Sequence, residues 1–336
     1  MARRLGRLAV LAVVVIGLPY FGYVGFAGSE RLVHPNRSIW CFTPETEYGW
    51  QYEAINYDPA DDARLAAEED DLRDCRARRP PPGDEVVTPD GERIAGWYIP
   101  AADGMPPDGP TVVLVHGIGS SMSAMLTRGA LLHDRYNLLL LDMRNHGRST
   151  GTHSTMGVRE QVDLKAMLDW AEAEKGATRF LLLGSSMGGV TSANVAADDP
   201  RVAALVLDST HATLQNTVET RLLAAGHPVG GAGYLAVWIG AWIRTGENLA
   251  GADAVHNVGR LGDRPLLILQ GGRDADQGPE NAEQLLAAAQ AGGVEVELHT
   301  CPEGRHAALL ESCPDDYRTW LVDFVDRVFG SAAGTP

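Results

Sequence analysis

Five short apolar runs recur along the middle of the chain: Thr111–Val115, Asn137–Leu141, Phe180–Leu183, Val202–Leu207 and Pro265–Gln270. A strand with one face in water alternates apolar and polar residues. Unbroken runs of this length are how strands buried on both faces look, and parallel sheets bury both faces. Helix-like stretches such as Val158–Ala173 and Gly188–Ala197 lie between them. This alternation predicts an α/β fold, a mostly parallel doubly wound sheet with helices on both faces and its active site at the carboxyl ends of the strands. The interval between Asp208 and Pro265 is far longer than one crossover helix, and it holds the apolar stretch Tyr234–Ile243 with Trp238 and Trp242. It reads as a small helical cap insertion over about 211–264. Upstream, Glu85–Thr88 and Arg93–Ile99 flank Pro89-Asp90-Gly91 and read as an antiparallel hairpin.

The N-terminus is a separate matter. Arg3, Arg4 and Arg7 precede an uncharged stretch from Leu8 to Gly28, long enough for a transmembrane helix. The basic flank predicts a single-pass anchor with a cytoplasmic N-terminus and the body on the extracytoplasmic side. The alternative is a signal peptide cleaved near Gly25–Gly28, which leaves a secreted body. The expected organisation is therefore an anchor over 1–29, a linker and preface over 30–84, a catalytic domain over 85–330 and a tail over 331–336. The preface is charged and ends in Pro80-Pro81-Pro82, and Trp40, Phe42, Tyr48, Trp50 and Tyr52 are expected to dock it onto the body. Four cysteines in two local pairs suggest Cys41–Cys75 and Cys301–Cys313 disulfides in an oxidising compartment, although four cysteines permit three connectivities. A net charge of −16 argues against nucleic acid as a partner. Neither a metal-ligand cluster nor a dinucleotide fingerprint is present, so no cofactor and no metal are expected.

Four features fall at the ends of expected strands. Gly184-Ser185-Ser186-Met187-Gly188-Gly189 follows Phe180–Leu183 and opens a helix, the context in which G-x-S-x-G makes a sharp turn that exposes a nucleophile, here Ser186. His116-Gly117-Ile118-Gly119 follows Thr111–Val115. Attack on an acyl carbon builds negative charge on oxygen, and the backbone N–H groups of Met187 and Ile118 are the candidate oxyanion donors. His116 reads as a residue that positions the loop. Gly271-Gly272-Arg273-Asp274 follows Pro265–Gln270, and Asp274 is the candidate carboxylate partner of a histidine, with Asp276 and Asp208 as rivals. Gly304-Arg305-His306 follows the expected strand Val294–Thr300, and His306 is the candidate general base. Ser186, Asp274 and His306 then stand in the order nucleophile, acid, base, each after a strand.

From about Glu85 to Phe329 the chain resembles the α/β-hydrolase superfamily, and within it the serine aminopeptidase and monoacylglycerol lipase-like hydrolases. The resemblance rests on Val115-His116-Gly117, Asp142–Ser149, Gly184–Gly189, Leu207-Asp208-Ser209, Gln270–Asp274 and His306. Asp142–Ser149 is similar to the family's D-x-R-G-H-G-x-S loop, with Asn145 where a glycine is usual. The resemblance implies an α/β-hydrolase fold and a serine hydrolase acting on an ester, thioester or small amide, with a small-molecule acyl substrate as its partner. The anchor and the apolar insertion make hydrophobic esters natural candidates. An acyltransferase using the same triad and a membrane-tethered binding module without chemistry are the alternatives, since one scaffold hosts many functions.

Overall fold

The structure is a computed structural model, and it describes residues 17–36, 38–39, 42–58, 75–76, 85–227 and 230–330. Its centre is an eight-stranded sheet. In chain order the strands are β1 (Ser38–Ile39), β2 (Glu53–Ile55), β3 (Cys75–Arg76), β4 (Gly96–Ile99), β5 (Thr111–Val115), β6 (Asn137–Leu141), β7 (Phe180–Ser185), β8 (Val202–Asp208), β9 (Leu266–Gly271) and β10 (Val296–Cys301). The sheet order is β10-β9-β8-β7-β5-β6-β4-β2, and β1 pairs with β3 in a separate two-stranded ribbon. The ladders from β10 to β6 are parallel, and β4 pairs antiparallel with both β6 and β2.

The unbroken apolar runs have a simple physical origin. Successive side chains of a strand point to opposite faces. In β5, Val113 and Val115 enter the core on one face while Val112 and Leu114 enter the core on the other. Helices cover both. The principal ones are α1 (Leu18–Val33), α2 (Pro44–Tyr48), α3 (Glu160–Lys175), α4 (Met187–Asp198), α5 (Leu214–Ala224), α6 (Gly230–Thr245), α7 (Pro279–Ala291) and α8 (Pro314–Gly330). One face packs on α3, α4 and α7 through residues such as Leu164, Val190 and Leu285. The other packs on α8 through Tyr317, Leu321 and Phe324. Each buried leucine or phenylalanine contributes roughly 2 kcal/mol of transfer free energy. Between β8 and β9 the insertion is helical, made of α5, α6 and short helical turns at Leu249–Ala252 and Val255–Val258.

Three expectations change. The hairpin around Pro89-Asp90-Gly91 shrinks to a turn with a single bridge, Val87 to Arg93. The strand that follows, β4, turns instead to β6 and β2, because its four buried residues need partners on both sides. The preface is more than a linker. Glu53–Ile55 is the edge strand of the main sheet, Ile55 is fully buried, and Tyr48 and Trp50 stack in series onto His133.

The third concerns the expected membrane span. Residues 1–16 lie outside the described residues, and among the described residues no helix is long and apolar enough to cross a membrane. Its second half belongs to α1, which runs past the expected boundary at residue 29 to Val33 and lies against α6. Glycines make this possible. A Cβ on Gly25 would sit 2.7 Å from the Ala236 carbonyl oxygen, and one on Gly240 would sit 2.6 Å from the Gly25 carbonyl oxygen. The C-terminal end of α1 is tied to the body by two hydrogen bonds to the Val33 carbonyl, from the Ser154 N–H at 2.7 Å and Asn145 Nδ2 at 3.3 Å.

Candidate active site

Ser186 sits between β7 and α4 with φ 54° and ψ −118°, a conformation that an L residue adopts only when its surroundings enforce it. Its N–H donates to the Asp208 carbonyl at 2.9 Å, which fastens the turn to β8. Gly188 is required two residues later, because a Cβ there would overlap the carbonyl oxygens of Val115 and His116. The absence of that side chain lets α4 press against the end of β5.

His306 Nε2 lies 3.0 Å from Ser186 Oγ, and His306 Nδ1 lies 2.8 Å from Asp274 Oδ2. The other oxygen of Asp274 accepts the N–H groups of Asp276 and Gln277 at 2.9 and 2.8 Å, which leaves one oxygen aimed at the imidazole. The Asp274 side chain is wholly buried, whereas His306 keeps 20% of its surface. The structure thus brings together Ser186, His306 and Asp274. It sends the two rival carboxylates elsewhere: Asp276 pairs with Arg221 of α5 at 3.4 Å, and Asp208 is engaged by Arg128 and Tyr317.

Met187 begins α4, where helix geometry supplies no acceptor for its N–H. Among the described residues neither that group nor the Ile118 N–H donates to a backbone carbonyl, and Ile118 lines the cleft in front of Ser186. His116 is fully buried. Its Nε2 accepts from the Met143 N–H at 3.1 Å and its Nδ1 donates to the Gly117 carbonyl at 2.7 Å. With no room for a second proton, burial pushes its pKa down to about 4, so it is a neutral strut for the loop. Asn145 has φ 59°, which explains how asparagine replaces the glycine of the similar family loop: it tolerates the left-handed region better than other side chains.

The cleft has a volume of about 530 Å³. Besides Ser186 and His306 it is lined by Phe42 and Tyr48 of the preface, Met125, Arg128 and Arg221. A larger surface groove of about 1010 Å³ beside α3 has no Ser, Cys or His in its lining. The sequence pattern does not single out Arg128. It is buried, donates through Nε to Asp208 at 2.9 Å and through Nη2 to the Ala307 carbonyl at 2.8 Å. Ala307, next to His306, has φ 53°, and its N–H donates to Ser209 Oγ at 3.1 Å. Burial opposes the charge on Arg128, but Asp208 keeps it protonated. The signal available in the sequence was one cation inside the apolar stretch Met125–Leu132. The Cys301–Cys313 disulfide closes the loop that carries His306, while the Cys41–Cys75 pairing involves Cys41, outside the described residues.

Comparison with known proteins adds an independent line. A family model described as the alpha/beta hydrolase fold matches residues 110–236. The uncharacterized protein YfhR of Salmonella typhi is 30% identical over 258 residues, covering 72% of this chain and 80% of that protein. Protein bem46 of Schizosaccharomyces pombe is 23% identical over 234 residues, covering 68% and 71%. Among solved structures, the Pyrococcus furiosus esterase Pf2001 superposes with a TM-score of 0.66 at 21% identity, covering 89% of this chain and 98% of that one, a likeness of fold. With its parallel sheet, its strained serine turn and these relatives, the chain belongs to the α/β-hydrolase superfamily.

Proposed function

We propose that this protein is a serine hydrolase that cleaves a carboxylic ester, thioester or small amide through an acyl-enzyme. The observation that carries the reading is the continuous hydrogen-bonded chain Ser186–His306–Asp274 at the carboxyl end of the sheet, open to the cleft. In the first step Ser186 Oγ attacks the acyl carbon as its proton passes to His306 Nε2. Negative charge collects on the former carbonyl oxygen, and the N–H groups of Ile118 and Met187 are the donors that receive it. Collapse breaks the bond to the alcohol, thiol or amine, which leaves with the proton from His306. Water repeats the sequence on the acyl-enzyme and frees the acid. Asp274 holds the imidazole in the tautomer that can accept the serine proton and stabilises the imidazolium. An apolar lining that includes Phe42, Ile118 and Met125 suits a hydrophobic acyl group.

The N-terminal segment, on this reading, tethers the domain to a membrane with the body on the extracytoplasmic side. Arg3, Arg4 and Arg7 ahead of the apolar run and the Cys301–Cys313 disulfide both support that placement.

The test is labelling of the full chain with a fluorophosphonate probe, beside Ser186→Ala and His306→Ala variants whose folding is checked by circular dichroism. Labelling of the wild type alone is expected. Folded wild-type protein that never labels would overturn the hydrolase and return the chain to the class of non-catalytic binding modules. Release of a new ester in place of an acid, when unlabelled wild-type enzyme is given an acyl ester together with a second alcohol, would assign it as a transferase.

A further inference from the structure

Among the described residues the large exposed apolar side chains are concentrated on three neighbouring helices. Leu235, Ile239, Trp242 and Ile243 recur at helical spacing along one side of α6, with Ile243 exposed by 74%. Leu18, Tyr23 and Phe26 of α1 are likewise exposed, each by more than 60%. Leu223 of α5 is exposed too, and among the described residues Val87 is the one other large exposed hydrophobic residue. Between α1 and α6 runs a groove of about 480 Å³ whose floor is Gly22, Gly25 and Gly240. The only charged residue that lines it is Arg244, and that cation is already engaged: it stacks over Phe26 at 4.3 Å, donates to Ser29 Oγ at 3.0 Å and pairs with Glu30 at 3.2 Å. A contiguous apolar face of this kind on a protein otherwise carrying a net charge of −16 is costly to leave in water.

We infer that the α1–α6 face lies against the surface of a lipid bilayer, so that the cap and the N-terminal helix form one membrane-docking plate. Three observations select lipid over a protein partner. The uncharged run Leu8–Ile16 enters α1 in the sequence without a break, and Arg3, Arg4 and Arg7 stand ahead of it, so the chain leading to this face is itself suited to hydrocarbon. The exposed set mixes aliphatic residues with Tyr23 and Trp242, rings that are favoured where hydrocarbon meets headgroups. Among the described residues the groove is lined by no charge other than the engaged Arg244, so binding in it must be apolar and insensitive to salt. The net negative charge of the body further predicts a neutral lipid surface over an anionic one.

The docking has a structural consequence for the site. The chain leaving α1 passes over the loop that carries Ile118, with the Asn36 carbonyl oxygen 3.8 Å from where a Gly119 Cβ would stand. The same α1 end is held by Asn145 and Ser154. The plate is thus fastened to the catalytic body at the C-terminal end of α1. The inference rests on the membrane placement proposed above and deepens it, and it is independent of the chemistry.

The test uses the full chain with an environment-sensitive dye on Ile243→Cys, and on Asp323→Cys of α8 as the control on the opposite sheet face. The unsubstituted chain, taken through the same labelling, supplies the background from native cysteines. Each protein is mixed with phosphatidylcholine vesicles with and without doxyl-labelled lipid. The expected result is a blue shift and quenching at position 243 that are several times stronger than at 323 and unchanged by added salt. If the protein sediments with vesicles while the dye at 243 stays in water, the docking face is wrong but the tether stands. If the chain does not bind vesicles at all, both fail. A dye at 243 that is shielded without lipid, in a particle of twice the chain mass, would overturn the inference in favour of a second copy on this face. Fluorophosphonate labelling of the same samples reports on the hydrolase reading separately.

Discussion

Arg128 and Asp208 form a buried ion pair whose position, and not whose charge, connects it to the active site. The pair sits behind His306, with Tyr317 donating to Asp208 Oδ2 at 2.9 Å and Ser209 holding the other oxygen at 3.0 Å. Arg128 then grips the Ala307 carbonyl, and Ala307 is a residue in a left-handed conformation that needs such a grip. Replacing one partner strands the other in a dry site. Arg128→Met is therefore expected to cost about 3–5 kcal/mol of stability, and adding Asp208→Asn should return part of that loss. Denaturant unfolding of the single and double variants measures both. A single variant as stable as wild type would show that the pair contributes little to holding this loop. Ser186, Asp274 and His306 were legible as individual residues because each follows an expected strand, in the order nucleophile, acid, base. Arg128 was not, since its partners stand 80 and 179 positions away and no local pattern relates them.

At the scale of elements, the loop from Cys301 to Cys313 combines three restraints: the end of β10, the disulfide and the Arg128 grip. A cross-link that closes twelve residues removes about 3 kcal/mol of unfolded-chain entropy in the chain-entropy view. His306 lies inside it, so the restraint also acts on the candidate base. The double substitution Cys301→Ser with Cys313→Ser is expected to lower the melting temperature and to slow probe labelling at a temperature where the variant is still folded. Unaltered labelling kinetics in a destabilised variant would confine the bridge to a stabilising role. The strands β5 to β9 were legible because burial on both faces leaves an uninterrupted apolar run, whereas the half-exposed edge strand β10 shows none. The edge strand β2 was not: it is three residues long, only Ile55 is fully buried, and its pairing with β4 bridges more than forty positions.

For the whole molecule, acid is the expected weakness. Burial pushes His116 and His146 down to about 4 and His211 to about 3, with His116 and His146 also facing each other at 5.0 Å between ring centroids. An unfolded chain takes up these protons from about pH 6.5 downward. The folded chain resists until about pH 4. Stability is therefore fully present above pH 6.5 and is lost as pH falls towards 4, by an amount on the order of several kcal/mol in sum. Melting temperatures at pH 7.5, 6 and 5 should fall progressively, and a flat profile across that range would contradict the buried neutral histidines. The Asp90 carboxyl, held down to about 2 chiefly by its hydrogen bond to Arg144, weakens the fold only at still lower pH.

The sequence by itself determined what local chemistry can encode. Apolar runs of strand length dictate a sheet buried on both faces, and Gly-x-Ser-x-Gly at a strand end dictates a sharp turn with an exposed hydroxyl. The order of strand-end residues then narrows the partners of Ser186 to a few candidates. Only the tertiary structure decided among Asp274, Asp276 and Asp208, because the choice depends on which carboxylate the fold leaves with an oxygen free to meet His306. Only the tertiary structure, too, decided what covers one side of Leu18–Val33. An apolar helix is satisfied equally by lipid or by protein, and hydrophobicity alone cannot distinguish them. Gly25, Gly28 and Gly240 break that tie by allowing α1 and α6 to approach where larger side chains would collide, a property of two surfaces more than two hundred residues apart in the chain.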